Sequence, residues 1–276
     1  MENNSVGRRR GQKQQKTIDE DWDDDDFQYL ITKNTMAESS LLNPTYTNLS
    51  TLLIQSMNVT HLDLDHVLRQ VLGQARPRSV TTSKKRFFFG EPKAHWMNNK
   101  PPTYIGGGVG MVPIATATSE NEKLQFLFQY SETYTTTKRA PFEGQVQPSA
   151  DINILAMFVA NNLYCVEALY QLSIIFYRLG EMEKGNELLR RALFVHECAF
   201  HSNFRDEFFR STKKQQQPKQ PRIMDATCPE NAPFFLELFT LMQVASMMGC
   251  FPTSLAISQL LLALDPHRDY GSTRKK

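Results

Sequence analysis

The sequence predicts an all-α second half, a tetratricopeptide-like helical repeat solenoid, preceded by a disordered charged tail and a small basic segment. Residues 166–196 and 235–266 indicate this fold, because both repeat the spacing of a helix–turn–helix unit. In the first stretch the residues that match this spacing are Leu169, Leu172, Phe176, Gly180, Gly185, Leu189 and Ala192. In the second stretch they are Leu238, Leu241, Gly249, Phe251, Ser254, Leu264, Asp265 and Pro266.

Close packing explains why these residue types recur. A tight turn between antiparallel helices favours a glycine such as Gly180, and small residues such as Gly185 and Ala192 let the helices cross closely. An ordinary helical hairpin in a globular α domain is the alternative. The spacing from Gly249 to Pro266, which matches that of a repeat's turn glycine and closing proline, favours the repeat.

The distance between the two turn glycines predicts a third, degenerate unit. Gly180 and Gly249 lie about two periods of roughly 34 residues apart. Residues 212–221, rich in Gln, Lys and Pro, then form a surface insertion within the middle unit. Because the first helix of each unit lines the groove of such solenoids, we expect a partner-binding surface from Glu167, Tyr170, Ile174, Tyr177 and Arg178.

Changes in composition divide the chain into three parts. Residues 1–48 are polar, with a basic run followed by an acidic block, and are expected to be a disordered charged tail. Residues 49–123 form a small basic and aromatic segment that includes a flexible glycine-rich linker at residues 106–110. Residues 124–276 carry the helical repeats.

Two elements are predicted within the middle part. Residues 52–54 read as a short strand, and Asp63 or Asp65 can cap a helix that ends at Gly73.

The final helix of the chain, residues 253–264, is expected to leave Leu255, Leu260, Leu261 and Leu262 at an uncovered end. Such an end predicts marginal stability and either self-association or the need for a partner.

Basic clusters predict nonspecific contact with RNA or the ribosome. The cationic residues of these clusters, which could neutralise phosphates, are Arg8, Arg9, Arg10, Lys16, Lys84, Lys85 and Arg86. Phe87, Phe88 and Phe89 either stack on unpaired bases or belong to the core. Sequence-specific DNA binding is disfavoured, because no basic region is followed by heptads.

Composition argues against a membrane-spanning, secreted or disulfide-rich protein. The formal net charge is +2, and no apolar run approaches the roughly 18 residues of a membrane span. The N-terminus lacks a signal-peptide core, so a soluble, intracellular protein without membrane contact is expected. The four cysteines show no CxxC spacing and are expected to be reduced thiols.

No motif predicts catalysis, a metal or a cofactor. His196 and His201 stand five residues apart, whereas a helical zinc site needs two histidines four apart on one face; structural or packing roles are favoured. Residues 106–110 match neither dinucleotide nor phosphate loops, and no GxSxG nucleophile elbow occurs. A non-enzyme is therefore expected.

Several short strings together resemble the transcription factor 25 family, which includes subunit 1 of the ribosome quality control complex. The strings lie at residues 169–173, 187–193, 197–201, 229–231, 249–250 and 264–266. Residues 62–73, Trp96, the glycine-rich segment ending at Met111 and residues 128–132 follow in the family's order. The resemblance covers roughly residues 51–266.

This resemblance implies a non-catalytic helical-repeat adaptor that assists a listerin-type E3 ubiquitin ligase in ubiquitinating stalled nascent chains on the large ribosomal subunit. An AAA segregase would then extract these chains, in the cytoplasm. Because vertebrate members of the family are also described as nuclear transcriptional repressors, a nuclear regulator acting through protein contacts is the alternative. The chain departs from the family at Ser202, where a proline is usual, in its short basic N-terminus, and in ending near Lys276.

Overall fold

The computed structural model describes residues 52–54, 56–73, 87–90, 100–116, 123–205 and 224–266. The tail, Lys84, Lys85, Arg86 and the insertion at residues 212–221 lie outside these ranges. The N-terminal elements are a 3₁₀ turn (Val59–Leu62), α1 (Leu64–Val71), and strands β1 (Val109–Thr116) and β2 (Lys123–Tyr130). Helices follow: α2 (Glu132–Tyr134), α3 (Gln147–Ser149), α4 (Ile152–Asn161), α5 (Val166–Arg178), α6 (Met182–Ala199), α7 (Ala232–Met247) and α8 (Phe251–Leu264). Two π-helical turns, Thr135–Arg139 and Phe142–Val146, connect α2 and α3.

A mostly helical fold is confirmed for the described residues, which contain two helical hairpins, α5–α6 and α7–α8. Gly180 and Gly249 end the first helix of each hairpin with φ of +77° and +74°, a left-handed conformation that favours glycine. The predicted turn glycines are therefore confirmed. Within the region that separates the hairpins, residues 206–223 are not described, so the predicted degenerate unit falls largely outside the described residues.

Small residues sit where the helices of the first hairpin cross. A Cβ added at Gly185 would lie 2.5 Å from the Tyr177 ring, so a larger residue at this position would force that ring to move. Ala192 is fully buried. Gly185 therefore has the close-packing role that the sequence predicts for it, and the burial of Ala192 agrees with such a role.

The glycine-rich segment leads into a strand, which corrects two predictions. β1 pairs antiparallel with β2 from Val109↔Tyr130 to Thr116↔Lys123, so residues 124–130, which were predicted to be helical, form a strand, and the glycines are not a free linker. The pattern of side chains in β2 explains why it is a strand. Phe126 and Phe128 are buried and alternate with the more exposed Leu127, as expected for a strand with one buried face. Residues 52–54, predicted as a strand, are helical.

The predicted N-terminal helix is confirmed as α1. The Asp63 side chain caps it by accepting a hydrogen bond from the backbone N–H of His66 at 3.1 Å. Asp65 then ties α1 to α6, because its two carboxylate oxygens lie 2.7 Å and 2.8 Å from the two terminal nitrogens of Arg190.

An aromatic core joins the β-hairpin to both helical hairpins. Phe128 of β2 packs against Phe200, which follows α6, and against Phe234 of α7, with ring centroids 6.2 Å and 5.4 Å away. Phe126 and Phe204 extend this cluster. In the part of the chain that the structure describes, no helix has both the length and the apolar character needed to cross a membrane.

Candidate interaction site and its buried polar contacts

The five predicted groove residues all lie on α5, but three of them contact other parts of the chain. The Tyr134 hydroxyl donates a hydrogen bond to Glu167 at 2.7 Å. The Tyr170 hydroxyl lies 3.1 Å from Thr240 Oγ1 on α7, and the Tyr177 hydroxyl donates to Asn186 at 2.9 Å. These contacts give the three side chains internal roles.

The remaining two groove residues differ in exposure. Ile174 is half-buried and Arg178 is exposed at the C-terminal end of α5. Partner binding by the α5 face therefore stays a prediction, and Ile174 and Arg178 are its best test positions.

None of the predicted RNA-contacting cations lies within the described residues, but the phenylalanines that follow Arg86 do. Phe89 is 3% exposed, and Phe87 packs edge-on against Phe194 at 5.2 Å. Phe88 lies under the Arg205 guanidinium at 5.3 Å. These positions favour the core alternative over base stacking.

A buried carboxylate holds this phenylalanine segment against α6. Glu197, 1% exposed, accepts hydrogen bonds from the backbone N–H of Phe88 at 2.8 Å and of Phe89 at 3.5 Å. Arg205 donates to the same carboxylate at 3.2 Å. Burial raises the pKa of Glu197 to about 7, and the Phe88 N–H and Arg205 oppose this shift.

The next residue towards the N-terminus, His196, belongs to a second buried polar contact. Its Nδ1 lies 2.8 Å from Glu237 Oε2, and both side chains are completely buried. On the other side of the ring, Nε2 lies 3.4 Å from the Tyr130 hydroxyl, which donates to the Glu230 carbonyl at 3.3 Å. Burial raises the pKa of Glu237, while His196 lowers it.

The environment of His196 agrees with the packing role expected for it. The rings of Phe128 and Phe234 lie 4.6 Å and 5.4 Å from the imidazole. His201 contacts Phe126 instead, at 6.1 Å. Across the described ranges, no group of three or more His, Cys, Asp or Glu side chains is arranged to hold a metal ion.

Asn231 closes the outer edge of β2. Its Oδ1 accepts a hydrogen bond from the Phe128 N–H at 3.0 Å, and its Nδ2 donates to the Phe126 carbonyl at 3.3 Å. Nδ2 also donates to the Asp225 carbonyl at 2.9 Å. One buried side-chain amide therefore pairs with β2 as the backbone of a third strand would.

Replacing Asn231 by leucine should lower the free energy of unfolding by about 2 kcal/mol or more. The change removes the Asn231 hydrogen bonds to the buried N–H of Phe128 and to the carbonyl of Phe126, and a buried polar group that loses a hydrogen bond carries a desolvation penalty. Chemical denaturation measures the loss, and hydrogen exchange at the Phe128 amide should accelerate. Asn153→Ala, at an exposed position of α4, is the control; equal losses from both variants would contradict the role of Asn231.

Three residues in the short sequence stretches that resemble the family bind backbone groups of distant segments. Glu197 and Asn231 hold backbone groups of distant segments, and Asp265 accepts a hydrogen bond from the Ala226 N–H at 3.1 Å. All three are buried. Sequence reasoning missed these roles, because the local sequence does not show that a polar residue next to apolar runs is buried.

The exposed face of the second helical hairpin is apolar and carries no charge. Between residues 232 and 264 the sole charged residue is Glu237, which is buried. Met247, Phe251 and Leu255 are 54%, 68% and 61% exposed. The prediction of an uncovered end is right for Leu255 and Leu262 but wrong for Leu260 and Leu261, which are buried.

These observations define a mostly helical protein in which buried polar residues connect two helical hairpins and a β-hairpin. A family model described as "Transcriptional repressor TCF25" matches residues 126–274. Because this match covers more than half of the 276 residues, the chain belongs to that family, which confirms the resemblance.

Similarity to characterised relatives extends over most of the chain. It is 28% identical over 201 residues to the human "Ribosome quality control complex subunit TCF25", covering 73% of this chain and 27% of that protein. It is 24% identical over 222 residues to "Ribosome quality control complex subunit 1" of Schizosaccharomyces pombe, covering 78% and 31%. The chain thus spans less than a third of the length of these relatives. No solved structure matches it significantly.

Proposed function

We propose that the chain is a non-catalytic, tetratricopeptide-like adaptor in ribosome-associated protein quality control. The observation that carries the proposal is family membership together with relatives named as subunits of the ribosome quality control complex. The two hairpins, each turned by a glycine with positive φ, agree with a repeat architecture. The buried polar residues that bind backbone groups hold distant segments together, as a non-catalytic scaffold requires.

The partners that we propose follow the family resemblance. They are the large ribosomal subunit, a listerin-type E3 ubiquitin ligase that the chain assists in ubiquitinating stalled nascent chains, and an AAA segregase. This activity places the protein in the cytoplasm. Ile174 and Arg178 are the two positions of the predicted groove through which we propose that such a partner is bound.

Sedimentation tests the proposal. The full chain should co-sediment with large ribosomal subunits from cells in which translation has stalled, and less so from unstressed cells. An Ile174→Ser/Arg178→Ala variant should bind less, while Asn153→Ala, an exposed change on α4, should bind as wild type does. If the chain never co-sediments with the subunit, the proposal is wrong.

A nuclear transcriptional regulator is the second candidate, favoured by the description of the matching family as a transcriptional repressor. It would act through protein contacts. Nuclear localisation together with reporter repression, without ribosome co-sedimentation, would support this candidate over the first.

The tail offers a separate test of nonspecific RNA contact. Replacing Arg8, Arg9, Arg10 and Lys16 by alanine should weaken RNA binding evenly across sequences. It should also flatten the salt dependence by about one unit per lost phosphate contact. Filter binding over a salt series measures this slope. Wild-type binding without a salt slope would show that the tail is not a nucleic-acid arm.

A further inference from the structure

The exposed side of α8 carries a continuous apolar stripe. Phe251, Leu255 and Leu262 are all exposed, and their spacing of four and seven residues places them on one side of the helix. The sequence of α8 contains no charged residue. Single apolar residues are common on protein surfaces, whereas a contiguous apolar stripe indicates a packing surface.

The N-terminal part of the chain meets α8 at this stripe. Gln259, four residues after Leu255, donates a hydrogen bond from Nε2 to the Ser56 hydroxyl at 3.4 Å. The 3₁₀ turn Val59–Leu62 packs against α8 as well. Met57, directly after Ser56, is 2% exposed. The N-terminal segment therefore enters the core beside the exposed stripe.

The chain is helical where it meets α8. Residues 52–54 are helical, and the Met57 N–H donates to the Leu53 carbonyl at 3.0 Å, as in an α-helix. Leu53 is half-buried, whereas Leu52 is 60% exposed. The buried side of this helix thus includes Leu53 and Met57, and residues four and seven positions before Leu53 belong to the same side of a continuing helix.

The sequence before residue 52, outside the described ranges, carries the signals of the same helix. Asn43 followed by Pro44 matches the N-cap and the first helical position. Tyr46 and Leu49 precede Leu53 by seven and four residues, so they share its side of the helix. The sequence therefore predicts one amphipathic helix that begins at Pro44 and continues into the described residues.

We propose that residues 44–57 form a capping helix that lies along α8 and covers its apolar stripe with Tyr46 and Leu49. The occupant of this surface is thus the chain's own N-terminal segment. Residues 39–62 contain no Asp, Glu, Lys or Arg, so the contact desolvates no charge of the segment. Terminal units of helical repeats need a cap, and a tethered cap acts at a high effective concentration. The cap covers the end at which self-association or a partner is expected from the sequence alone.

Photocrosslinking from α8 tests which surface covers the stripe. A photoreactive amino acid replaces Leu255 in the full-length protein, which is irradiated and analysed by mass spectrometry. The expected product is a crosslink within one chain, at monomeric mass, to residues 44–51. The same substitution at Met157, 67% exposed on α4, is the control and should not crosslink to those residues. A crosslink between two chains would show that a second copy covers the stripe, and this result or the absence of any crosslink to residues 44–51 overturns the inference.

A double substitution then tests the two side chains that the cap uses. Tyr46→Ser/Leu49→Ser should lower the crosslink yield from position 255 about tenfold, because loss of two apolar contacts shifts the equilibrium away from the capped form. Sedimentation velocity should show this variant forming oligomers at concentrations at which the wild type is monomeric. Leu41→Ser/Leu42→Ser changes two apolar residues that precede Pro44 and should leave the yield unchanged. An unchanged yield in the first variant, or an equal loss in both variants, overturns the inference.

Discussion

Replacement of Glu237 by leucine is expected to lower the free energy of unfolding by about 3 kcal/mol or more. The carboxylate is completely buried and lies 2.8 Å from His196 Nδ1, so its removal leaves a buried imidazole nitrogen without this partner. Loss of one member of a buried pair costs the full desolvation of the other. Urea denaturation followed by circular dichroism measures the change.

A double-mutant cycle with His196→Leu provides the control. When both partners are replaced by apolar residues of similar size, no buried polar group is left from the pair, and much of the lost stability should return. Ring packing of His196 against Phe128 and Phe234 is lost as well, so recovery should be incomplete. Additive losses in the double variant would contradict a direct interaction between His196 and Glu237.

The helical hairpins could be predicted because their determinants are local. Gly180 and Gly185 lie within one hairpin, and their roles, a left-handed turn and a close helix crossing, follow from spacing along the chain. Asp63 likewise caps α1 within three residues. Such features need no knowledge of distant segments.

The β-hairpin and the buried polar contacts depend on distant segments. Asn231 bonds to Phe126 and Phe128 across more than 100 residues, and Glu197 bonds to Phe88 across 109 residues. No local pattern distinguishes such a residue from an exposed one. The alternation of Phe126, Leu127 and Phe128 was a local signal for β2, but it stands directly before helical sequence.

The candidate interaction site could be predicted only in part, for a related reason. Helical periodicity places Tyr170 and Tyr177 on one side of α5, but it does not show what covers that side. The structure shows Thr240 of α7 against Tyr170 and Asn186 of α6 against Tyr177. Conversely, residues 106–110 matched no phosphate loop, and that comparison did not reveal that they lead into β1.

The pH dependence of stability should show the burial of Glu197. Its folded-state pKa of about 7 lies above the ordinary value of 4.5. Between these values the folded protein keeps a proton that the unfolded chain has released. The Glu197 contribution to the free energy of unfolding therefore falls as the pH rises from 4.5 to 7, by about 3 kcal/mol in total, and stays constant above and below.

Glu197→Gln isolates this contribution, because the amide keeps an acceptor for the Phe88 N–H but does not titrate. The stability of the variant relative to wild type should rise by about 3 kcal/mol between pH 4.5 and pH 7. Denaturation at closely spaced pH values measures this difference. Glu181→Gln, which removes an exposed carboxylate beside Lys184, should differ from wild type by less than about 0.5 kcal/mol throughout. A relative stability of Glu197→Gln that falls as the pH rises would mean that Arg205 and the Phe88 N–H outweigh burial and hold the pKa below its ordinary value.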